Sequence, residues 1–136
     1  MSAPPGVRLL LVGDELLEGK ADERNRRPLA GAVADRGGRV ESVRFVADDE
    51  PSLAAEVEEA LQAGLGVILS GGLGPTRDDR TREAVAAALG AELEVDRGWA
   101  RALEASDRSD RPERQARIPA GARLLANPHG TAAAFA

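Results

Sequence analysis

"VILSGGLGPTRDDRTREAV", residues 67–85, is the stretch whose reading decides the fold. An aliphatic run ends at Ser70 and two glycines, then a third glycine, a proline and two adjacent aspartates lead into a helical pattern. Glycine-rich turns between a strand and a helix commonly hold anions. Their backbone N–H groups approach a ligand closely, and the helix N-terminus favours negative charge. This turn is not a Walker A loop, because Gly-Lys-Ser/Thr is missing, and it is not G-x-G-x-x-G, because Pro75-Thr76-Arg77 follows Gly74. Arg77 is the nearby cation, while Asp78 and Asp79 repel a phosphate unless a divalent cation bridges them. A purely structural reading stands beside this one. Acids in a first helical turn stabilise the dipole, and Thr76-x-x-Asp79 has the form of a variant capping box.

Outward from this stretch, strands and helices alternate. Val7–Val12 ("VRLLLV") reads as a buried strand ending at Gly13-Asp14, and residues 25–36 carry helical periodicity closed by Gly37-Gly38. Arg39–Val46 alternates apolar and polar residues, as a second strand does. Residues 47–64 form a helix with Pro51 in its first turn and Gly64 as its stop. Leu65–Ser70 is the third strand, Arg80–Leu89 a helix ended by Gly90, Glu92–Val95 a small strand, and Arg97–Ala105 a helix containing Trp99. Residues 106–117 read as surface loop or frayed helix whose arginines form a solvated face offset by neighbouring acids. "GARLLAN" (121–127) reads as a last short strand. The alternation predicts an α/β fold with a parallel or mostly parallel sheet covered on both faces. Residues 1–6 read as a flexible tail before a single domain over 7–136.

Composition narrows the chemistry. The only aromatic residues are Phe45, Trp99 and Phe135, so the core is aliphatic, as parallel strands require. With 18 basic against 23 acidic residues the net charge is −5, which does not suit a dedicated nucleic-acid binder. Cysteine is absent and His129 is the one histidine, which excludes thiol nucleophiles, disulfides and Cys/His zinc sites. A metal would be a hard cation held by carboxylates. His129 lies in the turn composition "NPHGT" and reads as exposed. No secretory signal or membrane-length apolar run is visible, so a cytoplasmic location and no membrane partner are expected.

Ligands of such sheets sit at the carboxyl ends of the strands. Strand one is followed by "GDELLEG" (13–19), strand two by "ADDE" (47–50) and strand three by "GGLGPTRDD" (71–79), so three strands deliver acids or glycines to one edge. Asp14 and Glu15 equally suit a cap of the first helix, and Asp48 the N-cap of the helix near Pro51. Asn25 reads, on the residues alone, as a solvated helix residue.

Taken together, "GDELLEG", "GGLGPTRDDRTREAVA" and "NPHGTAAAF" resemble blocks of the N-terminal domain of the CinA family, within the molybdopterin-binding superfamily of MoaB, Mog and gephyrin-type proteins. The resemblance runs from about Val7 to Phe135. It implies a three-layer α/β/α fold, often a homo-oligomer (trimer or dimer), that binds a nucleotide or a pterin phosphate. For the CinA branch it implies metal-dependent pyrophosphatase activity on ADP-ribose with Mg²⁺, Mn²⁺ or Co²⁺. For the Mog branch it implies binding of molybdopterin and its adenylylation from ATP, and a non-catalytic binding or oligomer-forming role is the third possibility. Gly71, Gly72, Gly74, Asp79 and Thr81 fall on the family's Gly-Gly-x-Gly…Asp-x-Thr pattern, with Pro75 and Thr76 between them. Asp48 matches the acid after strand two, and Asp14 and Glu15 the "GDE" block. The resemblance thus implies Asp48 and Asp79 as catalytic acids and metal ligands, and the other matched residues as ligand contacts. Where family members read Asp-Thr-Asn, this chain has Glu23-Arg24-Asn25, so Asn25 alone matches fully and Asp22 is one position off. Ala133-Ala134 replaces the usual Pro-Gly, and the sequence stops at Ala136, ahead of the family's last strand and Pro-Gly-x-Pro closing loop.

Overall fold

Three consecutive leucines set the centre of the first sheet. Side chains alternate across a strand, yet Leu9, Leu10 and Leu11 are all at most 1% exposed, so both faces of this strand are covered. Each such side chain contributes about 1.5–3 kcal/mol of burial. In the computed structural model, which describes residues 5–136, this strand is β1 (Gly6–Val12). It lies between β2 (Arg39–Val46) and β3 (Gly66–Ser70), and both pairings are parallel. Pro5 accepts a hydrogen bond from the Arg39 amide at 3.0 Å, so the chain is tied to β2 ahead of the predicted strand. Of the expected tail, residues 1–4 lie outside the described residues.

The chain divides into two compact units, the first ending at Gly71 and the second comprising Gly72–Ala136. In the first, a short α1 (Asp14–Leu17) follows β1, α2 (Arg26–Asp35) leads to β2, and α3 (Glu50–Gln62) leads to β3. Helix α3 buries Leu53, Ala54, Val57 and Ala60, spaced as one helical face. Its N-cap is Asp49, whose carboxylate accepts the Ser52 amide at 2.9 Å, and not the expected Asp48. Asp48 is one residue too early, and it is bound elsewhere. A charged network ties α3 to the sheet. The buried Arg8 donates to Ser42 (3.1 Å) and to Glu59 (3.3 Å), and Arg44 pairs with Glu56 (2.7 Å) and Glu59 (3.0 Å). The hydrogen bond to Glu59 raises the pKa of Arg44, and the same bond from Arg44 lowers that of Glu59.

The second unit holds α4 (Thr81–Leu89), β4 (Leu93–Val95), α5 (Arg97–Ser106), α6 (Pro112–Gln115), β5 (Arg117–Pro119), β6 (Leu124–Leu125) and β7 (Ala134–Phe135). Gly90 closes α4 in the left-handed conformation, and Asp96 caps α5 through the Trp99 amide at 2.8 Å. The segment expected to be loop or frayed helix contains α6 and runs into β5. Here the strands pair antiparallel, β4 with β5 and β6 with β7. The predicted strand in "GARLLAN" shrinks to two residues, because its partner is the equally short segment Ala134–Phe135 beyond a turn. Asn127 shapes that turn by accepting the His129 amide (2.9 Å) and donating to the Ala132 carbonyl (3.1 Å), which leaves His129 exposed.

Candidate functional site

Parallel register brings the first acids together. Val12 lies opposite Val46, and two residues further along each chain Asp14 meets Asp48. The Asp14 amide donates to Asp48 Oδ2 at 3.1 Å, and the Asp48 amide donates to Asp14 Oδ1 at 3.0 Å. The two loops are thus laced by a reciprocal clasp. Asp14 is the first residue of α1 behind Gly13 and makes no side-chain cap, so the expected capping role is replaced by this clasp. Glu15 folds back along Gly13, where an added Cβ would sit 2.6 Å from its Oε1.

The same helix borders a cavity of about 320 Å³ whose lining includes Glu15, Asp22, Arg24, Asn25, Ser70 and Gly71. Asn25, the N-cap residue of α2, makes no cap bond with its side chain and instead donates to Ser70 Oγ at 2.7 Å. It is exposed, as expected of it, and it also cross-links the start of α2 to the end of β3. Glu23 takes the capping work, accepting the amides of Asn25 (2.5 Å) and Arg26 (2.8 Å). Ser70 went unnoticed in the sequence because it closes an aliphatic strand. Its position as the last strand residue before the glycines was the available signal. Gly71 is required where it stands: its φ is +107°, and a Cβ there would run into the Val12 carbonyl.

In the second unit the turn residues gather around Asp79. Its Oδ2 accepts the Thr76 amide at 2.9 Å and the Thr76 hydroxyl at 2.6 Å, and the Asp79 amide donates to the Thr76 carbonyl at 3.3 Å. A Cβ on Gly74 would come within 2.7 Å of Asp79 Oδ2. Gly72, at φ +69°, accepts the Thr81 amide at 3.2 Å and leaves no room for a side chain beside the Thr81 hydroxyl. The capping-box reading fails on geometry. Helix α4 begins at Thr81 with Arg80 as its N-cap, and the acid in its first turn is Glu83. Asp78 and Asp79 precede the helix, and Asp79 closes the 76–79 turn on itself.

Two arginines hold this turn from beneath. Arg82 is 2% exposed and donates to the carbonyls of Leu73 and of Gly74, the latter at 3.3 Å. Burial pushes its pKa down from the usual guanidinium value. Arg114 donates to the carbonyls of Thr76 (3.0 Å) and Asp79 (3.2 Å) and pairs with Glu83 at 3.6 Å. This corrects the expectation that all arginines of 106–117 form a solvated face, since the α6 turn delivers Arg114 inward. Arg77 and Arg111 instead line a second cavity of about 300 Å³, together with Pro75, Thr76 and Asp110.

Residues 8–136 match the family model described as "Probable molybdopterin binding domain". A CinA-like protein of Citrifermentans bemidjiense is 40% identical over 141 residues, covering 95% of this chain and 33% of the relative. The crystal structure of the protein CinA from Thermoplasma acidophilum, described as of unknown function, is 31% identical with a TM-score of 0.86, covering 98% of this chain and 82% of that one. The chain belongs to the CinA family of molybdopterin-binding-type domains. The tungsten cofactor synthesizing protein MoaB from Pyrococcus furiosus shares the fold, with 19% identity, a TM-score of 0.55, and coverage of 99% of this chain and 82% of that one. The CinA-type domain thus has the α/β fold of the MoaB group. It spans about one third of the length of the curated CinA-like relatives it matches. Every expected site residue, from Asp14 to Thr81, falls inside the matched span.

Proposed function

We propose that this CinA-type domain binds a nucleotide diphosphate and hydrolyses its pyrophosphate link, with ADP-ribose as substrate and a divalent cation as cofactor. Water attack would cleave the P–O–P bond and release AMP and ribose 5-phosphate, one oxygen of water ending on phosphate. The observation that carries the reading is the adjacency of the acid clasp and the first cavity through α1, where Asp14 opens the helix and Glu15 and Leu16 line the cavity. Carboxylates such as Glu15 and Asp22 accept hydrogen bonds from ribose hydroxyls or an adenine amino group, and Asn25, fixed by Ser70, presents an amide oxygen. The volume suits the nucleoside part of such a ligand.

The donor chemistry also fits a hard cation. Among the described residues no cluster of three or more His, Cys, Asp or Glu is placed to hold a metal. Mg²⁺ commonly takes only one or two carboxylates and completes its shell with substrate phosphate and water. Asp48, tied to Asp14 in the first unit, and Asp79, tied to Thr76 in the second, are the carboxylates proposed for that role. A bound cation would supply charge compensation to the phosphate oxygens.

The test is incubation of the purified chain with ADP-ribose and Mg²⁺, Mn²⁺ or Co²⁺, followed by chromatography of AMP. Metal-dependent AMP release that falls at least tenfold in both Asp48→Asn and Asp79→Asn supports the proposal. No release with any of the three metals sinks it, and formation of adenylylated molybdopterin from ATP would put the Mog-type reaction in its place. Calorimetric binding of ADP-ribose without turnover would leave a binding module.

A further inference from the structure

We infer that Arg82, with Arg114 bracing the far end of the turn, is a positioning residue that turns the Gly74 amide outward beside that of Leu73, so that the pair receives the ligand's anionic oxygens. In a trans peptide the carbonyl of one residue and the N–H of the next point in opposite directions. The Gly72 carbonyl faces the Thr81 amide, so the Leu73 N–H faces away from α4. The Leu73 carbonyl is held by the Arg82 guanidinium, so the Gly74 N–H faces away from Arg82. Neither amide has a hydrogen-bond partner among the described residues. The Gly74 carbonyl is held as well, and the residue after it is Pro75, which has no N–H to spend. Two consecutive donors thus emerge, the Leu73 N–H on the side opposite the Thr81 amide and the Gly74 N–H on the side opposite the arginine.

The arrangement answers why a buried cation serves backbone carbonyls here. A guanidinium presents several donors in one plane and can hold two successive carbonyls at once, which an ammonium cannot match in geometry. Arg114 fixes the other end of the turn through Thr76 and Asp79, so carbonyls on both sides of Pro75 are pinned. A separate observation points to an anion. The cavity lined by Pro75 and Thr76 of the same turn carries the exposed guanidiniums of Arg77 and Arg111, against one acid, Asp110.

This inference rests on the reading that the ligand carries a phosphate, and its test separates the two. Inorganic pyrophosphate is titrated into ¹⁵N-labelled full chain while the amide resonances are followed. The Leu73 and Gly74 signals should move, saturably, in the wild-type protein. If they stay still while pyrophosphate binds, the inference is overturned with no variant needed. Arg82→Met should weaken pyrophosphate binding by about ten- to a hundredfold, the scale of lost charge-assisted hydrogen bonds, and abolish the selective shift. Arg82→Lys, which restores charge and one donor, should recover part of both. Full binding by a folded Arg82→Met chain overturns the inference, as does a folded Arg82→Lys chain that recovers nothing. With ADP-ribose as substrate, Arg82→Met should raise KM more than it lowers kcat. Amides that respond to pyrophosphate in a chain that releases no AMP would keep this inference and discard the hydrolase reading. AMP release with unmoved amides would do the reverse.

Discussion

Gly71→Ala is the sharpest probe of how the third strand leaves the sheet. Two separable costs act at this position. The backbone sits at φ +107°, outside the range comfortable for an L side chain, and a positive φ costs alanine about 1–2 kcal/mol. The added Cβ would also press on β1, meeting the Val12 carbonyl oxygen first and lying 3.1 Å from the Val12 carbonyl carbon and 3.3 Å from its Cβ. Val12 is 4% exposed and paired with Val46, so it cannot move aside cheaply. Overpacking of this kind costs a further 1–3 kcal/mol, roughly. The sum is about 2–5 kcal/mol, a large part of a domain's stability. Gly64→Ala supplies the control, because Gly64 has φ +73° and no atom within 4 Å of an added Cβ. It should lose only the conformational part, about 1–2 kcal/mol. Urea unfolding of both variants beside wild type measures the difference, provided the slopes agree. Equal losses in the two variants would refute the close approach of residue 71 to β1, and with it the packing reason for the first glycine of the turn.

Two further outcomes follow from the first unit. Asp48→Asn keeps an oxygen that can accept the Asp14 amide, so its urea midpoint should stay near wild type, whereas Asp48→Ala should lose about 1 kcal/mol with that bond. A large loss in the Asn variant would show that charge, not the clasp, stabilises the loops. Glu59 has its folded pKa depressed, first by its hydrogen bonds from Arg44, so its contribution is present above the unfolded value of about 4.3 and fades as pH falls through the folded value. Stability measured from pH 7 down to pH 3 should therefore decline less steeply at the acid end in Glu59→Gln than in wild type. Parallel curves would remove Glu59 from the account.

Much of the fold was legible because its signals were local. Val7–Val12, Arg39–Val46 and Leu65–Ser70 carry aliphatic or alternating patterns, and the helices that precede β2 and β3 and follow β3 end at Gly37, Gly64 and Gly90, where left-handed backbone is wanted. What could not be read was pairing. Strands of two or three residues such as Leu93–Val95 and Ala134–Phe135 contain too little pattern to declare their direction or partner. The cap at the start of α3 was missed by one residue for a related reason. Two adjacent aspartates offer the same chemistry, and only the register of β1 against β2 assigns Asp48 to Asp14 and leaves Asp49 for Ser52.

The site was legible to a different degree, and the difference has a physical cause. Motifs mark residues whose type is demanded locally, and Gly71, Gly72 and Gly74 are such residues, each kept free of a side chain by a named neighbour: Val12, Thr81 and Asp79. Arginines 82 and 114 act through long side chains on backbone carbonyls, so nothing near them in the sequence distinguishes them from the solvated arginines around them. The acids illustrate the converse. In the sequence Asp48 and Asp79 read as acids awaiting a cation, yet these two and Asp14 each already use a carboxylate oxygen to hold a loop amide. The two roles are compatible, because a carboxylate has two oxygens and an amide occupies one direction of one of them. A carboxylate held this way is pre-oriented, and a cation that engages its remaining lone pairs would not have to order the loop first. The missing lysine of the glycine turn then has a consistent explanation. Its positive charge lies beneath the turn, in Arg82 and Arg114, where it orients amides toward an anion without contacting it.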